Sequence, residues 1–142
     1  MNRQSHLLSA LALLICISMF ALGGCSNTSN ALDGTQWKLT GWTLNSLNPS
    51  DFTITVKFTN GQVAGSSGVN TYSGAYKLGP GNAFSVGQVA STLMAGPEPA
   101  MRAETAYLAF LGQAKSYSIT GATLTLYDKG GNQSLIFEST SK

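Results

Sequence analysis

The chain has 142 residues, only 10% of them charged, and a formal net charge of +2. Its acids and bases are scattered, so no basic patch argues for nucleic acid and no acidic run argues for a cation store. His6 and Cys16 both lie before Cys25, so a chain cut before Cys25 keeps no histidine and one cysteine. That excludes an intrachain disulfide, metal and haem sites built on His or thiolate, and catalysis by His or Cys; no metal and no cofactor is expected.

Met1 to His6 is polar, with Arg3 as its one permanent side-chain charge. Leu7 to Leu22 is almost uniformly apolar, and Gly23, Gly24 and Cys25 follow. These are the charged, apolar and small-residue parts of an export signal. Small residues directly before a cysteine form the lipobox of bacterial lipoproteins: the thiol takes a diacylglyceryl group, and cleavage before Cys25 leaves it as the new N-terminus. Simple secretion and an uncleaved anchor are the alternatives, but a spanning helix needs about 20 apolar residues and this run is shorter. The expected organisation is a signal peptide over 1–24, a lipidated tether over 25–31 and one domain over 32–142. Two acyl chains give stable anchoring to a membrane where one does not. Ser26, rather than aspartate, follows the cysteine, which resembles lipoproteins sent to the periplasmic face of a Gram-negative outer membrane.

Leu32 to Thr35 reads as a turn and Gln36 to Trp42 as the first strand, with Trp37 in the core. Thr43 to Asp51 is a loop by its Asn, Ser and Pro content. Phe52, Ile54, Val56 and Phe58 alternate with Thr53, Thr55 and Lys57, which predicts a half-buried antiparallel strand over 52–58. Asn60-Gly61 predicts a tight hairpin into Gln62–Ser66. Gly65 to Gly68 lacks the Lys-Ser/Thr and following helix of a phosphate loop and reads as a bend or bulge. Thr71–Leu78 is the next strand, and 83–86 and 88–93 are two short ones parted by Gly87.

Beyond Gly96-Pro97-Glu98-Pro99 the period changes to helical, and a helix is predicted over about 99–113. Its core face is expected to carry Met101, Leu108 and Leu111 with Thr105 between, widened by Tyr107, Phe110 and Ala114. Three more strands follow at 115–119, 123–128 and 134–138. The fold class is therefore α+β and mostly β: a curved or partly closed antiparallel sheet of about eight short strands wrapped on one helix.

Four stretches, in this order, resemble the META domain, the family of the heat-inducible HslJ lipoproteins. They are Leu32 to Trp37, Gly68-Val69-Asn70-Thr71-Tyr72-Ser73-Gly74-Ala75-Tyr76, Ala90 to Pro97 and Met101 to Leu111. Many members carry cysteine where this chain has Val69 and Gly96, which looks like the paired loss of one bridge or thiol pair. The motif residues Gly68, Asn70, Tyr72, Gly74, Thr92, Met94 and Glu104 are the candidate binding positions, and Cys25 is the lipidation site. Gly68 and Gly74 are expected to allow tight bends, and Asn70 to cap a turn. Glu104 reads either as a solvated helix carboxylate or as an anchor for a strand backbone. The resemblance implies an envelope role in stress or assembly, without a defined reaction. In fold the chain also resembles small pilot lipoproteins that help outer-membrane secretins assemble and bind lipid in a cracked-barrel cleft. The expected function is non-enzymatic binding of a partner protein or an acyl chain. The competing readings are a structural, stress-protective lipoprotein and a hydrolase, the last weakened by the absence of a carboxylate pair placed for acid–base work.

Overall fold

A computed structural model describes residues 30–140. The leader, the cleavage position and Cys25 lie outside the described residues. Eight strands run in chain order around a closed antiparallel ring: β1 (Gln36–Trp42), β2 (Thr55–Thr59), β3 (Gln62–Ser66), β4 (Thr71–Gly79), β5 (Ala83–Ser91), β6 (Ser116–Thr120), β7 (Thr123–Tyr127) and β8 (Gln133–Ser139). One helix, α1 (Glu98–Gln113), lies between β5 and β6. β8 returns to pair with β1, from Trp37 opposite Ser139 to Trp42 opposite Leu135.

The ring is not a regular barrel. β5 and β6 meet at the single pair Ala83–Ser116, reinforced by Phe84 N–H donating to the Lys115 carbonyl at 2.9 Å. Above that seam, α1 packs on β5 and reaches β8, so the helix covers the gap that strand pairing leaves. Edge groups left uncovered would invite pairing with other chains.

Alternation fills the interior. Trp37 and Leu39 of β1, Val56 and Phe58 of β2, Tyr72 and Tyr76 of β4 and Leu135 and Phe137 of β8 are buried. Phe58 packs edge-on against Tyr76 at 5.0 Å between ring centres, and Tyr107 of α1 packs edge-on against Phe137 at 6.4 Å. Asn60 and Gly61 turn β2 into β3 with φ of 50° and 76°, the left-handed pair that the Asn-Gly sequence predicts.

Four expectations need correction. The strand predicted from Phe52 begins at Thr55. Asn48 caps a single 3-10 turn over Pro49–Asp51, whose last partner is Phe52, and Ile54 lies outside the strand, bridging to Ser67 and accepting from Leu39 N–H at 2.9 Å. The two short strands at 83–86 and 88–93 are one strand, β5 (Ala83–Ser91): Gly87 and Gln88 form a bulge, three steps from Val86 to Val89 facing two from Tyr76 to Gly74, and the ladder with β4 continues past it. Gly65 is not a bend. It pairs with Tyr72 inside β3, and a β-carbon there would lie 2.0 Å from the Thr55 carbonyl oxygen.

The fourth correction concerns the helix. Its buried face is Ala103, Tyr107 and Leu111, whereas Met101 is 43% exposed and Thr105 is exposed. The apolar band was wide enough to permit several rotations about the axis; Glu104, fixed to the β3–β4 connection, selects one.

Candidate functional site

The connection from β3 to β4 is Ser67 to Asn70. Gly68 takes φ +114°, a conformation L side chains rarely adopt. This brings Asn70, itself buried, under the N-terminal half of α1 and beside the loop that leaves β5.

Asn70 is hydrogen bonded at every polar atom. Its backbone N–H donates to Glu104 Oε2 at 2.8 Å, and its Nδ2 donates to Glu104 Oε1 at 2.8 Å and to the Met94 carbonyl at 3.1 Å. Its Oδ1 accepts from Met94 N–H at 2.7 Å and from Thr92 Oγ1 at 2.8 Å. Its carbonyl accepts from Ser67 N–H at 2.8 Å. Ser67 Oγ lies 2.6 Å from Glu104 Oε2, and that contact takes its one hydrogen. Burial pushes the Glu104 carboxyl up, but hydrogen bonds from Ser67, Asn70 and Val69 outweigh it and hold the group below its ordinary value. Glu104 is thus an ionised acceptor with its lone pairs engaged, an anchor joining α1 to a strand backbone.

Five of the motif residues therefore meet in one clamp: Gly68, Asn70, Thr92, Met94 and Glu104. Tyr72 lies deeper. Its hydroxyl donates to the Thr55 carbonyl at 3.0 Å and sits 2.5 Å from the Tyr107 hydroxyl, which must then be the donor between them. Burial pushes both phenols well above the ordinary tyrosine range, so both stay neutral. Gly74 is elsewhere, on the β4–β5 ladder. It makes no bend; a β-carbon there would crowd the Gln88 carbonyl and Val89 Cγ2, both at 3.2 Å. Ser67, missed as a functional position, carried no signal beyond its place in a glycine-rich stretch.

Val69 and Gly96, the two positions at which the family resemblance implies cysteine, touch. A β-carbon at Gly96 would stand 2.8 Å from Val69 Cγ2 and 3.4 Å from Val69 Cβ.

Next to Gly96 opens a groove of about 560 Å³. One wall is the outer face of α1, with Met101, Thr105 and Ala109; the other is Leu44 and Leu47 of the loop after β1. The Glu98–Arg102 ion pair, 3.0 Å, stands on its rim. The loop leading to Gly96 exposes Leu93 at 98% and Met94 at 60%. The sequence reading placed Leu93 at a strand end and gave the 43–51 loop no role. The ring interior is filled by side chains, so the apolar concavity lies outside it.

The structure is similar to an NMR structure of a protein from Burkholderia xenovorans, with 27% identity, a TM-score of 0.66 and 78% of this chain and 85% of that one covered. It also shares its fold with a crystal structure of a DUF4847 family protein from Bacteroides vulgatus, at 13% identity and a TM-score of 0.55 over 76% of this chain and 94% of that one. A comparison with curated protein sequences finds no match. The META domain family model matches residues 30–141. With that match spanning the whole ring and its helix, the chain belongs to the META domain family.

Proposed function

We propose that this protein is a non-enzymatic, lipid-anchored module of the cell envelope that binds a partner protein or an acyl chain, in envelope assembly or stress. Cys25 holds it at the membrane, on the periplasmic face of the outer membrane in a Gram-negative host. The observation that carries the reading is the apolar groove between α1 and the 44–47 loop, flanked by exposed Leu93, Met94 and Met101. Concave, mostly apolar surfaces with a few polar groups at the edge are the usual form of binding sites. The carboxylate with the most elaborate surroundings, Glu104, is spent on architecture.

A purely structural, stress-protective lipoprotein is the second reading, favoured by a ring interior that side chains fill among the described residues. Metabolic labelling with an alkynyl fatty acid tests the anchor: label is expected on the wild type and absent from Cys25→Ala. Unlabelled wild type sinks the lipoprotein reading.

A further inference from the structure

The groove lies at the opposite pole from the point where the chain enters the domain. Asn30 to Gly34 lead into the Gln36 end of β1. There Gly34 N–H donates to the Phe58 carbonyl at 2.8 Å and Asp33 Oδ1 accepts from Asn60 N–H at 2.5 Å, beside the Asn60-Gly61 turn. Leu44 and Leu47 follow the Trp42 end of the same strand. At about 3.3 Å per residue, β1 separates the two poles by about 20 Å. From Cys25 to Asn30 the chain reaches at most about 17 Å, at about 3.5 Å per residue. A membrane-held Cys25 could turn the groove pole onto its own bilayer only with the tether pulled to its full length, whereas a relaxed tether of this length spans about 12 Å and leaves that pole away from the membrane.

With the tether relaxed, what reaches the groove comes from the aqueous side. An acyl chain laid in it would keep one flank in water, since the groove is walled only by α1 and the 44–47 loop. A polypeptide covers what it docks on with its own bulk. Leu93, Met94 and Met101 extend the apolar surface past the groove, a combination that isolated surface residues do not give. Glu98 and Arg102 offer one charge of each sign at the rim, which suits a polar-edged protein segment better than a headgroup of one sign.

We propose that this pole docks the apolar face of an amphipathic segment of a second polypeptide, standing in the aqueous space beyond the anchoring membrane. The inference deepens the reading above and rests on its lipid anchor.

The test uses the full-length protein in cells, with a photo-crosslinking amino acid placed at Leu93, at Met101 or, as a control near the entry pole, at Lys57. Adducts at Leu93 and Met101 are expected to resolve by peptide sequencing to one apolar-faced segment of one polypeptide. They should fall at least tenfold in Ala109→Glu, which puts a charge on the exposed groove wall, and be absent at Lys57. Lipid adducts, adducts between copies of this chain, equal capture at Lys57, insensitivity to Ala109→Glu or no adduct at all would each overturn the docking surface. The anchor is read separately: an unlabelled wild type with unchanged groove adducts fails the anchor alone, and lipid adducts at Met101 on a labelled protein fail the docking surface alone.

Discussion

Val69 fills the space that a side chain at Gly96 would need: both valine methyls lie within 2.9 Å of where a β-carbon at Gly96 would stand. A β-branched side chain cannot swing aside as a long flexible one can. Gly96→Ala should therefore destabilise the fold by about 1–3 kcal/mol. The double variant Val69→Ala/Gly96→Ala should recover part of that loss. Denaturant unfolding of all three chains measures it; additive losses would show that the two positions do not compete for space.

The same geometry predicts a bridge. The 3.4 Å between the Val69 β-carbon and one added at Gly96 is just below the usual range for disulfide-linked β-carbons, about 3.5–4.5 Å, so a shift of a few tenths of an ångström suffices. Val69→Cys/Gly96→Cys is expected to oxidise spontaneously and to gain about 3 kcal/mol over its reduced form. Thiol titration and melting with and without reductant read the outcome. Two free thiols under oxidising conditions would refute it.

Glu104 couples stability to acid. Its carboxyl has a lower pKa folded than unfolded, so its contribution is present above the unfolded value and is lost as pH falls through the folded one. Glu104→Gln replaces an acceptor with a donor facing the donors of Asn70 and Ser67, at a cost of about 1–3 kcal/mol near neutral pH. The gap between wild type and variant should narrow as pH falls below the ordinary carboxylate range, where the wild-type carboxyl gains its proton. A melting temperature equal to wild type at pH 7 would remove Glu104 from the clamp.

The two buried tyrosines should respond unequally. Tyr107→Phe removes a donor but leaves the Tyr72 hydroxyl bonded to Thr55, costing about 1 kcal/mol. Tyr72→Phe strands the fully buried Tyr107 hydroxyl and frees the Thr55 carbonyl, costing about 2–3 kcal/mol. Equal losses would reverse the assigned donor direction.

How much of this was legible follows from range. Val56 and Phe58 alternate with Thr55 and Lys57, and Asn60-Gly61 turns the chain, so β2, β3 and their hairpin are written within a dozen residues. The rotation of α1 is not local. It is set by a carboxylate whose partner lies 34 residues away, while Met101, Tyr107, Leu108 and Phe110 made an apolar band compatible with several faces. Closure of the ring through Trp37–Ser139 and Trp42–Leu135 joins the two ends of the domain and leaves no trace in either strand alone. Gly96 before Pro97 carries no local sign of constraint; only contact with Val69 shows that a side chain there is excluded while valine is present. The motif's asparagine and glutamate were visible as a pattern, but their mutual saturation, which turns a candidate ligand site into a clamp, depends on three segments meeting in space.

The closed ring also decides how the domain carries load. β1 is flanked by β2 on one side and β8 on the other, and antiparallel ladder bonds lie across the strand direction. Tension between the entry pole and the groove pole runs along the strands, so it shears those bonds all at once instead of peeling them one by one. A ring loaded this way resists extension with its whole ladder, and a domain tethered at one pole and gripped at the other can transmit force without unravelling from its end.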